Sequence, residues 1–205
     1  SKKGFNWLNG YKFPGIQDYS QPGAYFATVC VCNRQNLFGE IVNDRMELNN
    51  AGILTRQCWQ EIPQHFPGVA LDEFVVMPNH VHGIIVINDA TIVGESVGVQ
   101  HVEPLRNNKP QHISNFQHVI PGSLGAIIRG FKSAVTRWFH VHTQIKTVWQ
   151  RNFYDHVVRD DSELNRIRLY VQQNPARWEF DRLNQQSAGK VREHSIIYGH
   201  ETWMI

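Results

Sequence analysis

The sequence predicts an α+β domain, helices layered on a largely antiparallel sheet, and three observations carry that reading. Strand-like and helix-like segments alternate along 205 residues, about the length of one domain. Two apolar strand segments, 69–77 and 80–88, are separated only by Pro78-Asn79, which suits an adjacent antiparallel pair better than a helical crossover. Neither common glycine-rich phosphate loop is present, so doubly wound nucleotide folds lose support.

Each element has its own signal. Residues 1–21 carry Lys2, Lys3 and Lys12 with little periodicity and read as an extended N-terminal arm. Residues 24–32 are rich in β-branched and aromatic side chains and predict the first strand. Asn33-Arg34-Gln35-Asn36 supplies a turn, and 37–42 predicts a second, shorter strand. Asn49 is placed as the N-cap of a helix through Ile62, its apolar face formed by Ile53, Leu54, Cys58 (or Gln57) and Ile62, with Pro63 and Pro67 ending it. After the paired strands, 89–122 turns polar and aperiodic, which predicts a long flexible loop. Ser123 then caps a helix whose stripe is Leu124, Ile127, Ile128, Phe131, Val135, Trp138 and Phe139. Residues 148–158 read as an irregular strand, and Asp160 or Asp161 opens a last helix that Asn174-Pro175 stops near Gln173. Trp178 and Phe180 are expected to fold back onto the core. One domain therefore spans 22–184, followed by a C-terminal tail at 185–205.

Composition narrows the function classes. Apolar residues make up 41% and charged residues 19%, enough for a buried core and against wholesale disorder. A net charge of +2 does not by itself announce a nucleic-acid binder, so any basic surface must be local. Three cysteines, an odd and irregularly spaced set, point away from a disulfide framework and toward a reducing compartment. Cys30-x-Cys32 has no second pair to complete a metal site and reads as two small residues on a strand. No run is long enough to span a membrane and no apolar signal region opens the chain, so the expected location is cytoplasmic.

His80-Val81-His82 is the first chemical signal. On a strand, period-two geometry points both imidazoles to one face, which makes half of a divalent-metal site. Among eleven histidines, such a pair is equally what two hydrogen-bonded structural residues would look like. Tyr170 and Asn174 are four residues apart and share a face of the last helix, where Asn174 could offer a hard oxygen ligand and Tyr170 a phenol beside the cation. The plain reading of that pair is a core tyrosine and a helix cap. Together the four residues suit attack on a DNA phosphodiester: a phenol with pKa near 10 needs local help, and a cation can stabilise charge on the phosphoryl oxygens.

Four segments resemble the HUH-type single-tyrosine transposases, in particular the REP-associated tyrosine transposases of bacteria. They are YFATVCVCNRQNLFGEI (25–41), MPNHVHGIIVI (77–87), SLGAIIRGFKSAVT (123–136) and WQRNFYDHVVRDDSELNRIRLYVQQNPARW (149–178), in family order. The resemblance implies a ferredoxin-like antiparallel sheet with helices packed on one face. It implies His80 and His82 as metal ligands, Tyr170 as the nucleophile that forms a 5′-phosphotyrosine link with single-stranded DNA, and Asn174 as a further ligand, with Gln173 the fallback. It implies Mg2+ or Mn2+, and a single-stranded or hairpin DNA partner. Tyr154, in FYDHVVR, is the competing nucleophile, and Asp155 and His156 are placed near the site. Arg129, Lys132, Arg137, Arg151, Arg159 and Arg166 are candidate phosphate contacts, and Trp149 a candidate stacking surface. The family leaves monomer or homodimer open.

Three rivals remain at this level, one of them a structural domain with no site, which requires both halves of the motif to be coincidences. A domesticated relative would bind single-stranded DNA hairpins without cutting them. A metallohydrolase would use the histidine pair to activate water, but needs further His or carboxylate ligands that no sequence motif supplies.

Overall fold

The structure, a computed structural model, describes residues 21–88 and 122–185. The expected arm, the long loop and the tail fall almost wholly outside the described residues.

The described elements, in chain order, are β1 (Gly23–Cys30), β2 (Gly39–Val42), β3 (Arg45–Leu48), α1 (Asn50–Gln60), α2 (Ile62–His65), β4 (Val69–Met77), β5 (His80–Ile87), α3 (Leu124–His142), β6 (Tyr154–Val157) and α4 (Asp161–Gln173). Two 3-10 turns, Cys32–Arg34 and Pro175–Phe180, complete the set. Four strands form one antiparallel sheet in the order β4-β5-β1-β6, and β2 and β3 form a separate hairpin. The succession β1-α1-β4-β5-α3-β6 in that order is the ferredoxin-like arrangement of an α+β domain.

β1 and β5 occupy the middle of the sheet and are buried along their whole length, which is why both read as near-continuous apolar runs. They pair from Gly23↔Ile87 to Cys30↔His80. Two-residue alternation divides their side chains. Tyr25, Ala27, Val29, Val81 and Ile85 enter one core with α1 and α3, whereas Phe26, Ile84 and Val86 enter a second core with Leu164, Ile167 and Val171 of α4. α1 and α3 are crossovers between parallel strands of the same sheet, and the usual right-handed crossover puts both on one face. α4 follows the last strand and crosses to nothing, so it covers the other face. This helix, beyond the one-sided layer expected, is the one that carries Tyr170.

Local chemistry explains most boundaries. Asn49 caps α1 by accepting from Gly52 N at 2.9 Å, Ser123 caps α3, and Asp160 caps α4 by accepting from Glu163 N at 2.7 Å. Of the expected apolar face of the first helix, Ile62 is buried and Cys58 packs against the core, but the helix is turned further than expected. Ala51, Thr55 and Trp59 face inward, and Ile53 is exposed. Trp59 sets the phase because its ring lies over Gly83, where an added Cβ would fall 2.3 Å from the ring. Pro63 does not end helical structure; it sits in the first turn of α2, where no N–H is needed. β3 was not expected. It returns from β2 through Asn43 and Asp44, both at positive φ (49° and 61°), as a tight hairpin turn requires. The irregular strand at 148–158 resolves into a single bridge, Val31↔Trp149, and β6. Trp178 turns toward His80, their ring centres 6.0 Å apart, and Phe180 is exposed, so neither joins the α1/α3 core. Among the described residues, no helix is long and apolar enough to cross a membrane.

Candidate metal centre

His80 and His82 lie at the start of β5, on the α4 face, with no exposed surface and ring centres 4.3 Å apart. Each ring is held at Nδ1. Asn79 Oδ1 lies 2.8 Å from His80 Nδ1, and Thr28 Oγ1, from the residue paired with His82 on β1, lies 2.7 Å from His82 Nδ1. Both Nε2 atoms face inward. His82 Nε2 is 3.4 Å from the Tyr170 hydroxyl, and His80 Nε2 is 3.8 Å from Asp181 Oδ2, with no hydrogen-bond partner among the described residues. Burial drives the His82 pKa down to about 3. Burial likewise pushes His80 well below its ordinary range, helped by the adjacent His82 and Arg34. Both rings are therefore neutral at physiological pH, the state in which imidazole nitrogen can ligate a metal.

α4 brings the other half of the site. Its apolar residues anchor it to the sheet, and Tyr170, one helical position from buried Val171, comes to rest against the histidines with ring centres 5.3 Å from His82 and 6.1 Å from Phe26. Burial, and secondarily the Asp181 carboxylate, raise the Tyr170 pKa well above that of a free phenol, so it rests as a neutral hydroxyl. Asn174, one turn on, is buried, and its amide opposes the rise in the pKa of both Tyr170 and Asp181. Its Oδ1 is shielded from solvent and accepts no hydrogen bond from the described residues. Gln173 beside it is half-buried, and its Oε1 is likewise shielded without a donor.

Asp181 is the residue that sequence reasoning missed. It follows the 3-10 turn after α4, and its Oδ1 accepts from Leu183 N at 2.7 Å. Burial raises its pKa to about 6, against the opposing pull of the Leu183 N–H, Arg34 and Asn174. One ligand atom each from His80, His82 and Asp181 lies within 4.8 Å of the others, and this group can hold a metal ion. Two neutral imidazole nitrogens, a carboxylate and a nearby amide oxygen without a donor form a donor set that fits a divalent cation. No helical or strand period links Asp181 to the other ligands, so only the fold could bring it forward.

The remaining candidates fall in different places. By register Tyr154 opposes Thr28 and His156 opposes Phe26, so both face the α4 side, while Asp155 opposes Ala27 on the α1/α3 side. Tyr154 is half exposed. His156 lies 3.0 Å from Glu163 Oε1, and the other oxygen of Glu163 accepts from Arg159 N at 2.6 Å; this stitches β6 to the start of α4. Arg159 and Arg166 are exposed on the site's side of the sheet. Arg129, Lys132 and Arg137 are on α3, across the sheet from the histidines, and do not flank the site as expected. Lys132 is also occupied, donating to Gln150 O at 2.9 Å and Asn152 O at 2.8 Å. Arg151 is exposed in the connection from α3 to β6. Trp149 corrects the stacking expectation, because it is 8% exposed, set among Phe38 and Phe131, and donates from Nε1 to Lys132 O.

These features define a class: a ferredoxin-like α+β domain with a buried His-His-Asp group beside a helix-borne tyrosine. Within that class the chain belongs to the family of a protein of Haemophilus influenzae described as uncharacterised, with which it is 41% identical over 169 residues, covering 81% of this chain and 87% of that protein. No family model matches the chain. The fold is also that of a solved REP-associated tyrosine transposase bound to a REP hairpin. The likeness covers 80% of this chain and 74% of that one, with a TM-score of 0.52 and 17% identity.

Proposed function

We propose that the chain is a metal-dependent DNA strand-transfer enzyme that cleaves and rejoins single-stranded, hairpin-bearing DNA in the cytoplasm through Tyr170. The observation that carries the reading is the Tyr170 hydroxyl at 3.4 Å from His82 Nε2, inside the same buried group as His80, Asp181 and Asn174. The fold shared with a hairpin-bound transposase agrees with it.

In this reading His80 and His82 hold Mg2+ or Mn2+ with an oxygen of Asp181 or Asn174, and the cation supplies the positive charge that polarises the phosphate. The chain's own residues do the rest. Tyr170 Oη attacks phosphorus, the phosphorus–O3′ bond breaks, and a 5′-phosphotyrosine forms. The phenolic proton is lost and the departing 3′-oxygen leaves as a hydroxyl, so no oxidant or reductant enters. Burial disfavours phenolate before DNA arrives, which keeps the nucleophile quiet until a phosphate and a cation share the site. Arg177 and Arg182, whose charges act on Tyr170, are the basic residues nearest the nucleophile, and exposed Arg159 and Arg166 lie on the same side of the sheet.

The test is incubation with a labelled single-stranded hairpin and Mn2+, followed by denaturing electrophoresis. A protein-linked band is expected from wild type and from neither Tyr170→Phe nor His80→Ala. Survival of the band in Tyr170→Phe transfers the role to Tyr154. Binding without any band favours a hairpin-binding protein that does not cut. A second reading gains from Asp181, which supplies the carboxylate that a water-activating metallohydrolase would need. Metal-dependent cleavage that leaves no DNA on the protein would select it.

A further inference from the structure

We infer that Asn79 is a positioning residue that fixes the tautomer of His80 and ties it to the segment carrying Asp181; the metal-binding consequence rests on the reading above. Asn79 is 1% exposed and closes the two-residue turn between β4 and β5, a place where turn chemistry alone would ask for a solvated side chain. Its backbone is tied too, since Val31 N donates to Asn79 O at 2.8 Å.

The hydrogen bonds fix the amide's orientation by elimination. Nδ2 lies 3.1 Å from Arg34 O and 2.8 Å from Leu183 O, and carbonyl oxygens only accept. The atom facing both must be the NH2 group, so the atom facing His80 Nδ1 at 2.8 Å must be the oxygen. An amide oxygen only accepts as well. His80 Nδ1 therefore carries the hydrogen, and Nε2, the atom turned toward Asp181, keeps its lone pair. His82 has no such constraint, because Thr28 Oγ1 can donate to its Nδ1 or accept from it.

The same amide reaches three separate parts of the chain. Arg34 O belongs to the 3-10 turn after β1, where Asn33 and Arg34 both take positive φ (54° and 52°). Leu183 O lies two residues beyond Asp181. Arg34 Nη1 donates to Arg182 O at 2.9 Å, and Gln185 Nε2 donates to Asn33 O at 2.6 Å, so residues 182–185 are strapped to that turn. Asn79 is the link between this strap and the imidazole. It thereby sets how a ligand from the end of the domain meets a ligand from its middle.

The experiment is a long-range 1H–15N correlation spectrum of histidine-labelled protein, paired with Mn2+ titration followed by electron paramagnetic resonance. Wild-type His80 is expected as the Nδ1–H tautomer; an Nε2–H tautomer overturns the proposal without reference to any metal. In Asn79→Leu, His80 should lose that preference while His82 keeps its own signals, and Mn2+ affinity should fall about 10- to 100-fold. Unchanged tautomer and affinity in that variant also overturn it. Asn79→Asp keeps the acceptor and loses the donor, so it should retain the Nδ1–H tautomer while the amides of Leu183 and Asn184 exchange faster. If Asn79→Leu does not fold, this variant decides, and loss of the tautomer in it refutes the inference. Absence of Mn2+ binding in wild type would remove the metal reading alone, since the tautomer measurement stands apart from it.

Discussion

The two faces of the sheet are made from alternate residues of the same strands, and they bury opposite chemistries. Under α1 and α3, β1 and β5 present Tyr25, Ala27, Val29, Val81 and Ile85 to an aromatic core of Trp59, Phe131, Phe38 and Trp149. Under α4, the same strands present Phe26, Ile84 and Val86 toward one end and Thr28, His80 and His82 toward the other. The first face buries mainly apolar surface, which is favourable, and its Thr55 and Trp149 polar atoms are hydrogen-bonded to backbone carbonyls. The second buries ring nitrogens, an amide and a carboxylate, each costly unless hydrogen-bonded or ligated. Stability is thus concentrated on one side of a sheet two residues deep, and chemistry on the other. α4 combines both roles, with Leu164, Ile167 and Val171 fixing the helix so that Tyr170 meets His82.

The largest effect should come from breaking the apolar face. Trp59→Ala removes the ring that fills the space over Gly83 and should cost about 3–5 kcal/mol in urea unfolding, as a large aromatic deletion from a core does. A cost below about 1 kcal/mol would mean that this face does not dominate stability. The next effect sharpens the contrast from the polar side. Mn2+ at about 100 times its Kd should add about 2.7 kcal/mol to the unfolding free energy of wild type and nothing to His82→Ala. Equal stabilisation of both proteins would place the cation elsewhere. The smallest effect tests the tie between α4 and the sheet edge. Arg168 forks onto Asp72, with Nε 2.9 Å from Oδ1, at the irregularity in β4 between Leu71 and Phe74. Arg168 is about one-third exposed, so Arg168→Met should cost about 1 kcal/mol. Hydrogen exchange should then quicken in α4 and stay unchanged in α1 and α3; uniform quickening would deny that the two faces open separately.

What could be read from the sequence followed from short-range rules. Caps at Asn49, Ser123 and Asp160 obey local hydrogen-bond chemistry, so α1, α3 and α4 start where their side chains say. The hairpin at Pro78-Asn79 and the shared face of His80 and His82 follow from strand alternation alone. The phase of α1 did not, because Ile53, Leu54 and Cys58 repeat almost as well as Thr55 and Trp59, and only the gap over Gly83 decides between them. Tyr170 and Asn174 were legible as one helix face, but their meeting with the histidines depends on α4 taking the side opposite the crossovers. Asp181 and the role of Asn79 were invisible for the same reason. Their partners lie far away in sequence, and no periodicity joins them. Trp149 was misread because an aromatic beside Gln150 and Arg151 looks like surface until Phe38 and Phe131 close over it.

The antiparallel pairing of β1 with both β5 and β6 has a consequence for the order in which the protein is made. On a ribosome, Thr28, Asn79, His80 and His82 emerge early, and the β4–β5 hairpin is closed by a two-residue turn. Tyr170, Asn174 and Asp181 arrive near the end of the described chain, after β6, the strand that pairs with β1 through Tyr25 and Val157. A nascent chain therefore holds its histidines long before it holds Tyr170, and the buried group of His80, His82, Tyr170 and Asp181 is complete only when nearly all of the described domain has been synthesised.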